Sequence, residues 1–385
     1  MKKLAETVAQ LAAMRSAASR ANAQVVDRLD TLERFGSNPG RLSARSYVPD
    51  HIDPKPALVV VLHGCTQTAA GYDMGSGWSR LADRHGFALL FPEQQRANNP
   101  NLCFNWFSPD HSRRDRGEAL SIRQMIAAMV ERYDIDPARI YITGLSAGGA
   151  MTSVMLAAYP QLFAGGAIIA GLPYGSASSV GEAFTAMQGR DGVRAAELGD
   201  LVRRASGHAG PWPRIAIWHG TADPTVNVLN ADRILSQWLS VHDLEDAPSA
   251  SESVAGHARR VWKDEAGQVV VEDYRIAGMG HGTPLAATGA EAVGVAMPHM
   301  LEAGISSTTL IAASWDILKN DDAAIMGTGE RDRDATGELP ESPSVRATLE
   351  AGRAEKRDPS RIRANPGAGV QKIIEDALRA AGLTR

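Results

Sequence analysis

Short, continuously apolar runs alternate with longer amphipathic stretches along most of this chain. Six apolar runs have the length of β-strands: residues 57–62, 87–91, 139–143, 167–170, 214–218 and 269–276. Between them, apolar residues recur at helical spacing over residues 78–85, 118–133 and 147–159. Strands without polar alternation are buried on both faces, which helices between successive strands can cover. The pattern therefore predicts an α/β fold with a doubly wound, mostly parallel sheet and helices on both faces.

The N-terminal residues have a helical rather than a strand pattern. Leu4, Val8 and Met14 fall on one face of a helix in an Ala-rich stretch, which predicts a helical arm over residues 1–44. We expect the arm to pack against the main body or a partner subunit rather than a membrane. The α/β domain is then predicted to occupy residues 45–318.

Two other segments depart from the alternating pattern. Residues 171–213 lie between two predicted strands and are rich in Gly, Ala and Ser, so they predict a cap or an insertion. Residues 319–385 are predicted to form a charged, largely disordered tail, since 23 of the 65 residues from Asp321 onward are charged and none is aromatic. Within this tail, residues 370–383 predict a short helix.

Composition excludes several classes of protein. The 385 residues are 44% hydrophobic with a net charge of −4, so nothing favours binding to nucleic acid. No apolar run approaches the ~18 residues of a membrane span, and no apolar signal segment follows the first residues. We therefore expect no membrane association and a cytoplasmic location. The two cysteines are too few for a disulfide scaffold or a four-cysteine zinc site.

Residues 144–148 read Gly-Leu-Ser-Ala-Gly and match the G-x-S-x-G pattern of a nucleophile elbow. The pattern alone also occurs in glycine-rich turns that pack a helix on a sheet. Here a predicted strand leads into it and a predicted helix leads out, which is the context that the elbow requires. The flanking glycines leave room for a strained turn around the serine. We therefore predict Ser146 to be a catalytic nucleophile.

A serine nucleophile of this type requires a histidine base further along the chain. Among ten histidines, His281 follows the predicted strand 269–276 in a loop with a glycine on each side. Such a loop can bring an imidazole to the serine, so we predict His281 to be the base. His219 is the main competitor, but it ends a predicted strand and precedes a glycine, which favours a role in shaping the turn.

The acid that orients the histidine is predicted to be Asp223. It lies just past the end of the predicted strand 214–218, and sites in doubly wound sheets gather beyond such strand ends. Its surroundings, H-G-x-x-D-P-x-V, form a recurrent acid loop in α/β-hydrolases. Asp232 and Asp264 are alternatives, but both fall in helical or exposed patterns.

The loop after the first buried strand is predicted to supply part of an oxyanion hole. In an α/β-hydrolase one backbone N–H comes from this loop and another from the residue after the nucleophile. That arrangement assigns the amides of Cys65 and Ala147. Each such donor stabilises the tetrahedral intermediate by roughly 3 kcal/mol. His63 precedes the loop and is predicted to hold it in place.

Together, these motifs resemble those of the polyhydroxybutyrate depolymerase family of esterases. The segments that carry the resemblance are His-Gly-Cys-Thr-Gln at 63–67, Asn-Trp-Phe at 105–107, Gly-Leu-Ser-Ala-Gly-Gly at 144–149, Gly-Met-Gly-His-Gly-Thr-Pro-Leu at 278–285 and Ala-Gly-Ile-Ser-Ser at 303–307. The resemblance implies an α/β-hydrolase that cleaves short-chain hydroxyalkanoate esters, with Ser146, Asp223 and His281 as its triad. It also implies that Gln67 and Trp106 contact the substrate.

The resemblance leaves the state of the cysteines and the location of the protein open. In the family, the pair at Cys65 and Cys103 lies near the oxyanion loop and can be a disulfide, whereas a cytosolic protein favours two reduced thiols. The family also implies an extracellular location as the alternative to the cytoplasmic one. Because no aromatic-rich polymer-binding domain follows the α/β domain, we expect small esters or soluble oligomers as substrates.

Other functions remain open at this point. Feruloyl and acetylxylan esterases share much of the pattern, and the same triad cleaves amides and thioesters. An α/β-hydrolase fold can also serve as a non-catalytic scaffold, although a pure binding protein has no need of all three triad residues. No cofactor or metal is predicted, because no cluster of His and carboxylates has ligand spacing. The expected partner is the ester substrate, and a homo-oligomer is compatible with the sequence.

Overall fold

The computed structural model of the chain describes residues 25–190, 192–289 and 292–319. Most of the predicted arm and nearly all of the predicted tail, with its short helix, lie outside these residues. All the described residues except Lys319 belong to one compact unit that ends at Leu318. None of the helices in this part of the chain is long and apolar enough to cross a membrane.

A ten-stranded sheet forms the centre of the unit. Its strands are, in chain order, β1 (Asp30–Thr31), β2 (Ser43–Tyr47), β3 (Leu58–Leu62), β4 (Ala88–Glu93), β5 (Ile140–Leu145), β6 (Gly165–Ile169), β7 (Arg214–Gly220), β8 (Ala250–Val254), β9 (His257–Lys263) and β10 (Val269–Ile276). Across the sheet the order is β1-β2-β4-β3-β5-β6-β7-β10-β9-β8. The strands from β4 to β10 in this order pair in parallel, whereas the two outer strands on each side pair antiparallel.

Helices lie between the strands. They are α1 (Ala69–Ser76), α2 (Trp78–His85), α3 (Pro109–Ser112), α4 (Gly117–Tyr133), α5 (Ala147–Ala158), α6 (Val180–Met187), α7 (Ala195–Ser206), α8 (Leu229–His242) and α9 (Ser307–Ser314). A short parallel pair, β11 (Thr283–Leu285) and β12 (Met300–Glu302), follows the main sheet. The predicted doubly wound, mostly parallel α/β fold is confirmed.

The apolar strand pattern is explained by a core on each face of the sheet. In β3, Leu58, Val60 and Leu62 belong to one buried cluster, and Val59 and Val61 belong to the other. One cluster contains residues of α4, α5, α7 and α8, and the other contains residues of α1, α2 and α9. A strand with both faces covered has no position for a polar side chain, which is why β3 is apolar throughout.

The sheet begins earlier in the chain than the sequence pattern indicated. Residues 25–44, the described part of the predicted arm, contain no helix, and β1 and the first residues of β2 lie within them. β2 pairs with β4, so this segment forms one antiparallel edge of the sheet. The boundary predicted at residue 45 was therefore wrong, because a short edge strand with alternating burial gives no continuous apolar run.

The segment predicted as a cap or an insertion forms α6 and α7, between β6 and β7. α7 packs closely on α8, since a Cβ at Gly199 would lie 2.3 Å from Ser240 Oγ. The side chain of Gln237 also donates a hydrogen bond to the carbonyl of Leu198 (3.0 Å). The end of α6 is bonded to the loop after β7, because the N–H of Asn227 donates to the carbonyl of Met187 (2.8 Å). The segment is thus part of the helical layer beside that loop.

Candidate active site

Ser146 occupies a tight turn between β5 and α5. Its backbone has φ 58° and ψ −117°, a left-handed conformation that non-glycine residues rarely adopt. The turn is held by a hydrogen bond from the N–H of Ser146 to the carbonyl of Ile169 (2.9 Å). The side chain is partly exposed at the carboxyl end of the strand. Such backbone strain clusters at functional sites, and here it presents a hydroxyl at the edge of the sheet.

Two glycines beside the serine are required by close packing. A Cβ on Gly144 would lie 2.5 Å from the carbonyl oxygen of Gly148, and a Cβ on Gly148 would lie 2.4 Å from that of Leu62. Both contacts are with backbone, which cannot move aside as the end of a long side chain can. The glycines therefore let α5 start against the carboxyl end of β3, next to the predicted oxyanion loop.

Asp223 and His281 are directly hydrogen-bonded. The Nδ1 of His281 lies 2.7 Å from Oδ2 of Asp223, and both side chains are buried. The other carboxylate oxygen, Oδ1, accepts hydrogen bonds from the N–H groups of Thr225 (2.8 Å) and Val226 (2.9 Å). A carboxylate fixed in this way orients the imidazole and stabilises its protonated form.

The surroundings of Asp223 keep it ionised. Burial acts to raise the pKa of Asp223, but hydrogen bonds from His219, His281 and the backbone of Val226 outweigh it. The pKa of Asp223 therefore lies well below its usual value. A negative charge is thus present beside His281 throughout the neutral pH range.

The loops that carry the acid and the histidine are joined to each other. The N–H of Ala222 donates to the carbonyl of Met279 (3.0 Å), and the N–H of Gly278 donates to Oγ1 of Thr221 (2.9 Å). A Cβ on Gly220 would lie 2.3 Å from the carbonyl oxygen of Met279. These contacts fix the loop after β10 against the loop after β7, so the Asp223–His281 pair is rigidly placed.

The nucleophile and the base follow strands of the same parallel sheet. Ser146 comes directly after β5, Asp223 follows β7, and His281 follows β10, and the carboxyl ends of parallel strands lie at one edge. In the described part of the chain, Ser146 Oγ forms no hydrogen bond with the imidazole of His281. Bonds between nucleophile and base commonly tighten only when substrate is bound.

The predicted oxyanion loop after β3 is held by two buried side chains. His63 Nε2 accepts a hydrogen bond from the N–H of Gln94 (3.1 Å), so Nδ1 carries the proton and donates to the carbonyl of Gly64 (2.8 Å). The Oε1 of Gln67 accepts from the N–H of Gly64 (2.8 Å). Because a trans peptide is planar, holding the Gly64 carbonyl turns the N–H of Cys65 the opposite way. His63 thus lies where it can hold this loop.

A disulfide joins Cys65 to Cys103 in the structure. It connects the oxyanion loop to the segment that leads to Trp106. Among the described residues, none accepts a hydrogen bond from the N–H of Cys65. The N–H of Ala147, at the first position of α5, likewise has no partner within its helix. Both amides are therefore available to a ligand.

Comparison with known proteins identifies the family. A family model described as esterase PHB depolymerase matches residues 42–263, more than half of the chain. Poly(3-hydroxyalkanoate) depolymerase C from Paucimonas lemoignei is 45% identical over 292 residues, which cover 75% of this chain and 70% of that protein. The chain belongs to the PHB depolymerase family of esterases.

Carbohydrate esterases are also similar to this PHB depolymerase family member. An acetylxylan esterase from Coprinopsis cinerea is 33% identical over 268 residues, which cover 68% of this chain and 71% of that protein. The solved structure of an acetyl xylan esterase from Aspergillus awamori has a TM-score of 0.61 and 27% identity, and the match covers 66% of this chain and 93% of that one. The chain is thus a carboxylic ester hydrolase with the α/β-hydrolase fold.

The two residues predicted to contact substrate in this esterase are largely buried and make contacts within the protein. Trp106 is only 8% exposed, lies in the same buried cluster as Ala147, and meets Phe107 edge-on at 5.7 Å. Gln67 is 7% exposed and braces the oxyanion loop through Gly64. Their contact with substrate stays a prediction.

A buried carboxylate close to this part of the chain, Glu118, was not predicted from the sequence. Glu118 is fully buried and accepts hydrogen bonds from Gln94 Nε2 (2.7 Å), Asn105 N (2.8 Å) and Asn105 Nδ2 (2.6 Å). Burial raises the pKa of Glu118 to about 7. The network joins the segment before Trp106 to the residue that supports His63. A lone Glu at the start of an apolar helix was the one signal in the sequence.

His299 was missed as well. Its Nδ1 donates to the carbonyl of His281 (3.2 Å), and its own carbonyl accepts from the N–H of Thr283 (2.8 Å). It therefore fixes the backbone on which the candidate base sits. No group of three or more His, Cys, Asp or Glu in the described ranges is arranged to hold a metal ion.

Proposed function

We propose that this esterase hydrolyses short-chain hydroxyalkanoate esters through a triad of Ser146, His281 and Asp223. The observation that carries the proposal is the 2.7 Å hydrogen bond between His281 and Asp223, at the sheet edge where the strained turn presents Ser146. The substrate class is supported by the relative named as a poly(3-hydroxyalkanoate) depolymerase.

In the proposed mechanism Ser146 Oγ attacks the ester carbonyl carbon. Nε2 of His281 takes the hydroxyl proton, and the Asp223 carboxylate stabilises the imidazolium through Nδ1. The imidazolium then gives that proton to the departing alcohol, which leaves an acyl-enzyme on Ser146. A water molecule, deprotonated by the same imidazole, attacks the acyl carbon and releases the carboxylic acid. The serine regains its proton and the cycle closes.

The negative charge that develops on the carbonyl oxygen is proposed to be bound by the amides of Cys65 and Ala147. Neither N–H is consumed by the fold, and the glycines of the turn bring α5 against the end of β3, the strand that leads into the Cys65 loop. Fixed donors of this kind need no reorganisation when the charge forms, which is why they are effective in catalysis.

A carbohydrate ester is the second candidate substrate. The observation in its favour is similarity to acetylxylan esterases at 33% and 27% identity, the latter with a TM-score of 0.61. The proposed triad and oxyanion donors would act on either ester, because they contact only the reacting carbonyl and not the remainder of the substrate. The two candidates thus differ in the acyl group and the alcohol of the ester and not in the mechanism.

The test is hydrolysis of p-nitrophenyl esters from acetate to octanoate by the wild-type enzyme and by Ser146→Ala. We expect turnover on the C2 to C4 esters, and a loss of at least about 10³-fold in the variant without loss of folding, since the nucleophile is removed. Hydroxybutyrate trimer, acetylated xylo-oligosaccharide and methyl ferulate are then compared by kcat/KM. Preference for the trimer supports the proposal, and preference for either of the others replaces the substrate class.

A further inference from the structure

A second histidine lies beneath the candidate acid. His219 is in β7, and its side chain is fully buried. Its Nε2 is 2.9 Å from the carbonyl oxygen of Val226 and 3.4 Å from Oδ2 of Asp223. The imidazole therefore lies inside the loop that runs from the end of β7 to α8, in contact with both its backbone and its carboxylate.

The contacts of His219 define which nitrogen carries the proton. A carbonyl and a carboxylate both accept hydrogen bonds, so Nε2 must be the donor. Nδ1 is buried and has no hydrogen-bond partner among the described residues, as expected for the nitrogen without a proton. The Nε2–H is thus directed at the carbonyl of Val226 and approaches Oδ2 of Asp223, the same oxygen that accepts from Nδ1 of His281.

The hydrogen bond from His219 to the carbonyl of Val226 also fixes the loop that carries Asp223. The N–H of Val226 donates to Oδ1 of Asp223, and the carbonyl of Val226 accepts from His219. Val226 is thereby held from both sides, by the carboxylate that it orients and by the imidazole beneath it. Without the Nε2–H, the Val226 carbonyl would be left buried without a donor, and such groups force local rearrangement.

We infer that His219 is a positioning residue, whose Nε2–H holds the acid loop and Oδ2 of Asp223 in line with Nδ1 of His281. The inference deepens the proposed function and rests on it. His219 thus acts on the reaction indirectly: it orients Asp223, which orients His281. This role goes beyond the shaping of a turn.

The test compares substitutions that keep or remove a donor at the Nε2 position. His219→Gln places an amide N–H near that position, His219→Asn places one only near Nδ1, and His219→Leu fills space without a donor. We expect kcat to fall by about 10- to 100-fold for Leu and Asn, with KM little changed, and to be largely restored in Gln. The Gln and Asn pair decides the matter even if the Leu variant does not fold.

A matched control removes a partly buried histidine, the last residue of α8, whose hydrogen bond lies near the opposite end of β7. His242 Nε2 bonds to the carbonyl of Pro213 (3.1 Å), just before β7 begins. His242→Leu should lower the melting temperature and leave kcat within about twofold, because it removes a hydrogen bond of the same kind, imidazole to backbone carbonyl, away from the acid loop. Equal effects of His219→Leu and His242→Leu on kcat, or no difference between the Gln and Asn variants, would overturn the inference.

A second readout does not depend on turnover. In the proton NMR spectrum of the histidine-labelled enzyme, the Nδ1–H of His281 bonded to Asp223 should give a downfield signal that Asp223→Asn abolishes. We expect the signal to persist in His219→Gln and to be shifted or lost in His219→Asn. An unchanged signal in both variants contradicts the positioning role. If instead Ser146→Ala keeps esterase activity, the proposed function fails while this spectroscopic result still decides the role of His219.

Discussion

At the scale of single residues, the hydrogen-bonding groups of this site are oriented by contacts with more than one partner. His63 can donate to the Gly64 carbonyl only through Nδ1, because its Nε2 is occupied by the N–H of Gln94. Asp223 divides its two oxygens, one for backbone donors and one for His281. The oxyanion loop and the candidate base are therefore aligned by hydrogen bonds to residues that do not contact the ester in the proposed mechanism. Substitutions that remove these hydrogen bonds should lower kcat more than they raise KM.

The carboxylate of Asp223 gives a direct test of the triad. Asp223→Asn keeps the size of the side chain but removes the charge and the acceptor for Nδ1–H, so the imidazole loses its required tautomer. We expect kcat for short p-nitrophenyl esters to fall by about 10⁴-fold. The control is Asp232→Asn, the alternative acid from the sequence, which lies on α8 in a half-exposed ion pair with Arg275 (2.9 Å). A larger loss of activity in the control would move the acid to Asp232.

Glu118 predicts a pH dependence of stability. Burial raises the pKa of Glu118 from 4.5 to about 7, so the folded protein binds this proton more tightly than the unfolded chain does. The stabilisation from this proton is complete below pH 4.5 and is lost as the pH rises to about 7, a change of about 3 kcal/mol. This change is measured by urea unfolding of the wild type and of Glu118→Gln at pH 4.5, 5.5 and 7. As the pH rises, the unfolding free energy of the wild type should fall relative to that of the variant. The same dependence of unfolding free energy on pH in both proteins would contradict the prediction.

Motifs in the sequence located the candidate nucleophile, acid and base, because each lies in a local pattern at a strand end. Among the residues that support them, His63 was predicted from its place before the loop, but Glu118 and the contact of His219 with Val226 could not be found in this way. Glu118 and Gln94 are 24 positions apart in the chain, and their hydrogen bond arises only when α4 packs beside the end of β4. His219 was visible as a turn residue, but its contact with Val226 depends on the folded path of the acid loop.

At the scale of elements, the strand-turn-helix of β5 and α5 depends on the absence of a side chain at Gly148. In Gly148→Ala the Cβ would lie 2.4 Å from the carbonyl oxygen of Leu62, so α5 must shift. We expect a loss of about 3 kcal/mol in unfolding free energy together with most of the activity. Gly181→Ala, at an exposed position of α6 with nothing within 4 Å of the new Cβ, should instead stabilise by up to about 1 kcal/mol. A similar loss of unfolding free energy and activity in both variants would show that the close packing at Gly148 is not the cause of the loss.

The disulfide gives a second prediction at this scale, because it joins two loops across 38 residues of sequence. Removing a crosslink of this span lowers the unfolding free energy by about 4 kcal/mol in the chain-entropy account. Cys65→Ala and Cys103→Ala should lose this stability equally and keep similar kcat, because alanine retains the backbone amide at residue 65. Much lower activity in Cys65→Ala alone would mean that its side chain, and not its N–H, serves the reaction. Mass spectrometry of the non-reduced protein checks that the disulfide forms.

The strands found from the sequence were those largely buried on both faces, and the helix found most accurately was strongly amphipathic. The predicted helix over residues 78–85 has those bounds in the structure, and the strands β3, β5, β7 and β10 lie at or beside their predicted positions. The antiparallel edges were missed, since β8 reads Ala-Ser-Glu-Ser-Val and is almost wholly exposed. An edge strand needs no apolar face when its hydrogen bonds to one neighbour define it, so a pattern of burial cannot reveal it.

At the scale of the whole molecule, the candidate site is built entirely from residues before Leu318. Every strand and helix of the described unit, and all the residues proposed to act in catalysis, precede that position. The following residues are rich in charge and contain no aromatic side chain from Asp321 onward, and aromatic side chains are a usual source of apolar contact area in binding surfaces. We therefore expect ester cleavage to proceed without residues 320–385.

Deletion of residues 320–385 tests this inference. The shortened esterase should keep its melting temperature and its kcat/KM on butyrate and hydroxybutyrate trimer esters within about twofold, since every described strand and helix and every residue proposed for catalysis is retained. Its rate on a suspended polyhydroxybutyrate film should equal that of the full chain, because the deleted residues from 321 onward contain no aromatic side chain. Ser146→Ala in the full chain supplies the background rate. A selective loss of film hydrolysis on deletion, with the trimer unaffected, would show that the C-terminal residues bind polymer and would widen the substrate class from soluble esters to the solid.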